Sequence, residues 1–283
     1  MLLALLTAVG ASILNNATTH SDFFGVRPLG SPAAYIKTTP VGNYPEGFAE
    51  ESYNGYEGEI SGSGHSLTVR GNVRTYWVKD VEKHDWSQIR YKALDLRGKS
   101  LRFTADVSRV GCACNAALYL VGMPSGGHGG SSGYCDIQGV GDRECLEIDL
   151  LEGNRKAIQT TLHTQTGKKA DGTCNQYGCA VNWGKSSQEH YGTASMIDSG
   201  RPYEVDAAFD QDGHMTVRLG QDGTWHSYWN TSVAGNGKHG VPEKASQAVK
   251  QALADGLVLA VSLWEAKDDM AWLTGRQRTT WPG

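Results

Sequence analysis

The segment Glu147-Ile-Asp149-Leu-Leu-Glu152-Gly-Asn154 places three carboxyl groups within six residues. On a β-strand, successive side chains point to opposite faces. Leu146, Ile148 and Leu150 therefore share one face, and Glu147 and Asp149 share the other. Strict alternation would turn Glu152 to the apolar side. The doubled Leu150-Leu151 offers a way out, because a β-bulge inserts one residue and re-aims the side chains after it. Leu151 then points to the core and Glu152 rejoins the acids. Three carboxyls on one face repel each other and push their pKa values apart, so folding alone does not favour them. Such a set suits cleavage of a glycosidic bond, where one carboxylate attacks and a protonated partner serves the leaving oxygen. Near neighbours on one strand would sit about 5–5.5 Å apart, the spacing of retaining enzymes. Asp149, in the middle, can hydrogen-bond the nucleophile. Taken alone, Glu-x-Asp-x-x-Glu also describes the solvated face of an edge strand or a calcium site.

The surrounding pattern predicts short strands that could hold such a trio. Ser66–Arg70, Arg74–Val78, Ser100–Val107, Ala116–Val121, Cys145–Leu151, Ile158–His163, Tyr203–Phe209, Met215–Leu219, Trp225–Trp229 and Leu257–Trp264 carry strand-like runs bounded by turn residues. Asp212-Gly213 and Asp222-Gly223 mark tight hairpin turns. Asp210-x-Asp212-Gly213 lacks the remaining ligands of a calcium hand. Ala245, Ala248, Val249, Ala252 and Leu253 follow helical spacing over 243–254, with Pro242 and Glu243 at the start and Gly256 placed as a left-handed cap. Ser21 to Gly55 shows no period and reads as an irregular arm or first layer. Many strands, one helix and Gly-rich turns indicate an all-β sandwich.

Composition narrows the classes. A chain of 283 residues can bury a sizeable core without staples. Gly is 36 and Pro only 8, with no G-X-Y period, which excludes a collagen-like chain. A net charge of −4 argues against a nucleic-acid surface, which needs a basic stripe. Eight Trp and twelve Tyr against five Phe suit sugar rings as well as a core. The six Cys form no Cys-x2-Cys knuckle, so disulfides in an oxidising compartment are the better reading. Leu2 to Leu14 is apolar but too short to span a bilayer, and reads as a signal segment or its remnant. Asn16-Ala-Thr18 and Asn230-Thr-Ser232 are glycosylation sequons of a kind that recurs by chance.

With these segments set out, the chain resembles glycoside hydrolase family 7, the cellobiohydrolases and endoglucanases that cut β-1,4-glucan with retention. Glu147-Ile-Asp149-Leu-Leu-Glu152 is similar to that family's catalytic strand. Cys114-Asn115-Ala-Ala-Leu-Tyr119, Gly133-Tyr134-Cys135-Asp136-Ile-Gln138, Thr173-Cys174-x4-Cys179 and Gly256-Leu-Val-Leu-Ala-Val-Ser262-Leu-Trp264 resemble further family segments in the same order. Leu94-Asp-Leu-Arg-Gly-Lys through Val107-Ser-Arg resembles the lead-in strand, and the match runs from about Tyr56 to Gly275. The resemblance implies a concanavalin-like jelly roll of two curved antiparallel sheets. It implies Glu147 as nucleophile, Asp149 as assisting acid, Glu152 as acid/base and His163 as an active-site histidine eleven residues on. Asn115, Tyr119, Asp136, Gln138, Trp264 and Trp272 would contact substrate. It pairs Cys135 with Cys145 and makes Cys174–Cys179 a local bridge, leaving Cys112 and Cys114 open, since an i, i+2 bridge is strained. The laminarinase-type family 16 shares the sandwich and the trio but not the other segments together.

The departures are also specific. The chain is shorter than usual members, and the loops that roof a tunnel are missing, which favours an open cleft. Gly153 stands where the family prefers Ala, Leu151 replaces an aromatic residue, and Thr164-Gln165 replaces Pro-Cys. Trp264 and Trp272 are one residue closer than expected, and Trp281-Pro-Gly stands where a final return strand would come next. His128 belongs to a Gly-rich loop rather than a metal tract, and Glu189-His190 and Arg201 carry no separate signal. The expectation is one catalytic sandwich over 56–283, preceded by an arm over 15–55 and the segment 1–14. It is a secreted monomeric endo-β-glucanase acting on a polysaccharide, with no cofactor, metal, nucleic acid or membrane partner. A β-1,3- or mixed-linkage glucanase, a xyloglucan enzyme, a transglycosylase and a non-catalytic lectin-like sandwich are the alternatives.

Overall fold

A computed structural model of the chain describes residues 3–6, 12–14, 38–40, 46–52, 59–63, 66–83, 85–127, 130–141, 143–165, 173–185, 187–233, 241–265 and 270–275. His128, the Asn16 sequon and Trp281-Pro-Gly lie outside the described residues.

Two antiparallel sheets pack face to face. The larger has nine strands, in the order Cys179–Trp183, Ile158–His163, Glu147–Gly153, Cys114–Val121, Leu257–Glu265, Val73–Val78, Gly47–Ser52 and Thr38–Pro40, with Ala93–Leu94 beside Leu257–Glu265. The smaller has five, in the order Thr224–Asn230, Met215–Gln221, Tyr203–Phe209, Lys99–Ala105 and Ser12–Leu14. Each predicted strand is present, most with ends shifted by one or two residues. The main core lies between the sheets, where Leu118, Ile148, Leu150, Leu162 and Val261 of one meet Leu101, Phe103, Val205, Val217 and Trp229 of the other. Burial of this apolar surface is the chief drive for the two layers to form. Asp222-Gly223 makes its hairpin with both residues at positive φ, 53° and 79°, as a mirror-image two-residue turn requires.

The helix Glu243–Asp255 buries Ala245, Val249 and Leu253 against the core. Gly256 ends it with φ 91° and ψ 125°, a positive-φ conformation outside the left-handed helical region. Its N–H still reaches the carbonyl of Ala252 at 3.0 Å. The expected irregular arm is corrected in part, because Thr38–Pro40 and Gly47–Ser52 extend the nine-stranded sheet beyond Val73–Val78. Within the first fourteen residues, Leu3–Leu6 pairs with Ser66–Arg70 and Ser12–Leu14 pairs with Lys99–Ala105. A second, one-turn helix, Ala271–Thr274, comes after the Leu257–Glu265 strand.

The face of the larger sheet turned away from the smaller one positions the site. Tyr76, Val78, Tyr119, Val121, Val258 and Ala260 on this face form a second apolar cluster. It is covered by Val81, Ile89, Tyr91, Tyr134 and Cys135 from connecting segments. The remainder of the face carries the carboxyl groups.

Candidate active site

The expected bulge is present. Asp149 pairs with Thr161 and Glu152 with Gln159, so Leu150 and Leu151 together oppose the single Thr160. The opposite neighbour shows the same step, with Leu118 beside Leu151 and Tyr119 beside Asp149. Thr160 Oγ1 donates to the Leu150 carbonyl at 2.9 Å, which satisfies a backbone acceptor at the bulge. Leu150 and Leu151 are both buried in the inter-sheet core. Glu147, Asp149 and Glu152 consequently share the outer face.

The register forms rungs across the strands. Val121, Glu147 and His163 make one; Ala260, Tyr119, Asp149, Thr161 and Ala180 make the next; Ser262, Ala117, Glu152, Gln159 and Asn182 make the third. Each carboxyl is held differently. Glu147 Oε2 accepts the backbone N–H of Ile137 at 3.1 Å. Glu152 Oε1 accepts Asn115 Nδ2 at 3.0 Å, and its Oε2 accepts the Thr161 hydroxyl at 3.4 Å. Asn115 Oδ1 is buried with no partner among the described residues. Asp149 Oδ2 lies 3.4 Å from His163 Nε2. His163 Nδ1 is 3.1 Å from the carbonyl of Asn175, which can only accept, so Nδ1 carries a proton. Nε2 then faces Asp149 with either a lone pair or a second proton, and the contact with Oδ2 requires a proton on one of the two groups.

Burial dominates the electrostatics. It pushes Glu152 up to about 8, helped by the Asp149 charge and opposed by His163 and the hydrogen bonds from Asn115 and Thr161. It pushes Asp149 up to about 8, opposed by a hydrogen bond with Glu147. Burial, then the Asp149 charge, lifts Glu147 well above the carboxylate range, while His163 and the Ile137 N–H pull it back. Glu147 and Asp149 therefore titrate as a pair. The Ile137 N–H favours the first charge on the pair, and mutual repulsion opposes the second.

The remaining expected site residues fall into two groups. Asn115 and Asp136 sit with the trio, and Asp136 Oδ1 and Oδ2 accept the Val140 N–H and the Tyr134 hydroxyl at 2.8 and 3.0 Å. Tyr119 is on the right face but buried, its hydroxyl 3.1 Å from that of Tyr134. Gln138 is exposed and pairs with Gln176: each Nε2 donates at 3.0 Å, to the Gln176 carbonyl and to Gln138 Oε1 respectively. The rings of Trp264 and Trp272 stack on each other, with centroids 6.3 Å apart and planes at 15°. Trp264 also packs on Ala157, Met270 and Leu273. The bridges Cys135–Cys145 and Cys174–Cys179 are both formed. Cys112 and Cys114 lie outside them, and burial pushes the Cys114 thiol up to about 12.

Sequence reasoning missed Thr161, although it alternates with His163 on one strand and so had to share its face. It also missed Arg74. This buried guanidinium pairs with Glu51 at 3.1 Å, donates to the Tyr76 hydroxyl at 2.6 Å and lies 3.2 Å from the centre of the Tyr134 ring. Ser132 Oγ donates to the other Glu51 oxygen at 2.8 Å. Arg74 thereby ties the sheet to the segment that carries Asp136.

The two packed sheets form a jelly roll with the three carboxyl groups on the outer face of the larger one. The model of the family "Glycosyl hydrolase family 7" matches residues 64–147. Among curated proteins, the chain is similar to an endo-β-1,4-glucanase, celB, of Emericella nidulans. The two are 26% identical over 293 residues, covering 77% of this chain and 67% of the relative. It is also 26% identical over 219 residues to endoglucanase EG-1 of Hypocrea jecorina, covering 65% of this chain but only 46% of that protein. The chain thus spans about half to two thirds of the length of these relatives. Among solved structures, a Humicola insolens endocellulase Cel7B matches with a TM-score of 0.60 at 22% identity, over 77% of this chain and 69% of the other. An endoglucanase I complexed with cellobiose matches with a TM-score of 0.57 at 21% identity, over 84% of this chain and 69% of the other. These likenesses show the fold.

Proposed function

We propose that the chain is a secreted, retaining endo-β-1,4-glucanase. The observation that carries the reading is the bulge at Leu150-Leu151, which sets Glu147, Asp149 and Glu152 on one face. A strand with no task for three carboxyls, two buried and one half-buried, would be more stable without them. The endo-β-1,4-glucanase celB and endoglucanase EG-1 support the substrate class. Two disulfides support an oxidising compartment.

A glucan chain lies across the strands, along the rungs. Glu152, whose pKa is pushed up to about 8, holds a proton at neutral pH and passes it to the glycosidic oxygen. Asn115 and Thr161 fix its carboxyl in place. Once the Glu147–Asp149 pair has given up one proton, Glu147, steadied by the Ile137 N–H, attacks the anomeric carbon in its ionised form as the bond to the leaving oxygen breaks. Asp149, in contact with His163, keeps the other proton of the pair beside the nucleophile. In the second half-reaction, Glu152 takes a proton from water, and the resulting oxygen nucleophile attacks the same carbon and releases Glu147. Configuration is retained after two inversions.

The test is reducing-end release on a panel of β-1,4-, β-1,3- and mixed-linkage glucans. Glu147→Gln should abolish turnover while glucan binding and the folded state persist. Wild-type hydrolysis by that variant would remove Glu147 from the mechanism. Binding by the wild type with no release on any glucan would favour a lectin-like sandwich.

A further inference from the structure

We infer that Glu51 is a positioning residue for the nucleophile: through Ser132 and Arg74 it holds the segment whose Ile137 N–H steadies Glu147. This rests on the retaining-glucanase reading above and adds a residue that touches none of the reacting groups. Glu51 lies on the strand Gly47–Ser52, four places across the sheet from the strand of Glu147. Its two oxygens face different partners. Oε2 accepts Arg74 Nη2 at 3.1 Å and the Tyr76 hydroxyl, both from the adjacent strand. Oε1 accepts the Ser132 hydroxyl at 2.8 Å, from the connecting segment above the sheet. One carboxylate thus joins sheet and segment.

From Glu51 two links run to Glu147. Ser132 Oγ accepts the Tyr134 N–H at 3.3 Å, and the Ser132 carbonyl accepts the Tyr91 hydroxyl at 2.7 Å. Arg74 lies 3.2 Å from the centre of the Tyr134 ring, whose hydroxyl donates to Asp136 Oδ2 at 3.0 Å. Asp136 then shapes the turn: Oδ1 accepts the Val140 N–H at 2.8 Å, and its carbonyl accepts the Cys145 N–H at 3.0 Å. The next N–H, that of Ile137, meets Glu147 Oε2 at 3.1 Å. The Cys135–Cys145 bridge ties this turn to the entry of the catalytic strand, while Glu51 and Arg74 hold Ser132 and Tyr134 just before it. A buried guanidinium keeps its place only beside its counter-charge, so the link through Tyr134 also depends on Glu51. Glu147 is faced by Asp149 on its own strand, His163 on the next, and Asp136 and the Ile137 N–H from the turn. Glu51 is faced by Arg74 and Tyr76 from the adjacent strand and by Ser132 and Tyr91 from connecting segments. The sign of a pH shift separates two effects. Loss of the Glu51 charge, felt directly through space, makes Glu147 easier to ionise. A slackened Ile137 N–H makes it harder.

The experiment measures kcat, KM and the pH profile of kcat/KM on a soluble cello-oligosaccharide for the wild type, Glu51→Gln and Ser132→Ala, with near-UV circular dichroism as the check on folding. In Glu51→Gln, kcat should fall about ten- to a hundredfold, the size of a small misplacement at the reacting centre, with KM nearly unchanged. The acid limb of the profile should move to higher pH, because the nucleophile ionises less readily. Ser132→Ala cuts only the Oε1 link and keeps the Glu51–Arg74 pair, so it should shift both quantities the same way by less. Glu51→Asp, which keeps the charge beside Arg74, should recover part of both. Where Glu51→Gln does not fold, Ser132→Ala decides. Folded variants with wild-type kcat and acid limb, a limb that moves to lower pH, or a rise in KM alone would each overturn the proposal. Loss of stability with both quantities unchanged would mark a merely structural role and overturn it too. The glucanase reading survives these results as long as the wild type cuts β-glucan and Glu147→Gln does not. Absence of β-glucan cleavage by the wild type would remove both.

Discussion

Glu152→Gln separates a buried, protonated acid from an ordinary surface carboxylate. The glutamate is ordinarily ionised above 4.5, but in the folded chain burial pushes it up to about 8. Between those limits the native state holds a proton that the unfolded chain has released. Linkage then requires stability to be fully present below 4.5 and to be lost as pH rises through about 8. In the middle of the window one such proton contributes a slope of about 1.4 kcal/mol per pH unit. Summed over the window, the ceiling is about 5 kcal/mol, reduced by whatever part of the carboxyl stays wet in the groove. The glutamine amide of the variant keeps an acceptor for Asn115 and cannot ionise. Urea unfolding of both proteins at fixed ionic strength, from roughly pH 5 to 8, should show the variant gaining on the wild type as pH rises. The two should be nearly equal at the acid end. A difference that is independent of pH, or a variant that loses ground as pH rises, would show that Glu152 ionises at little cost. The acid role would then fail with it.

Two further substitutions probe the supports of the site. Gly178→Ala forces a side chain into a positive-φ position and against Thr161 and His163, so unfolding free energy should drop by about 1–3 kcal/mol from backbone strain alone. Turnover should fall by more than stability does, and a variant with wild-type kinetics would refute the close packing of that loop. Tyr134→Phe leaves Asp136 Oδ2 and the Tyr119 hydroxyl each short of a buried partner, at a cost of about 1–3 kcal/mol. Chemical denaturation measures that cost, and no loss at all would mean the two groups find other partners.

The trio was legible because its logic is local. Alternation assigns faces, and the doubled leucine signals the one slip that brings Glu152 back; both depend only on the strand's own period. Alternation also puts Asn115 and Tyr119 on one face of their strand, with Asn115 opposite Trp264 and Tyr119 opposite Ala260. What alternation could not say is what covers a face. Tyr119 is buried because Tyr134 arrives from a segment with no period of its own, anchored by Arg74 from a strand two places across the sheet and by Glu51 beyond it. Gln138 turns to Gln176 for the same reason, since its partner is set by two disulfide-closed loops meeting rather than by spacing. The strand Gly47–Ser52 was missed because Gly-Phe-Ala-Glu-Glu-Ser carries little strand propensity; its pairing with Val73–Val78 decides it, and tertiary context overrides propensity at such edges. Its Glu51 is the acid that holds Arg74, so the overlooked strand and the overlooked cation are one omission. An isolated arginine on a strand shows no charge partner in the sequence around it, and a buried arginine must have one. Searching the unassigned arm for an acid to pair with Arg74 would have recovered the strand and the wall of the groove together.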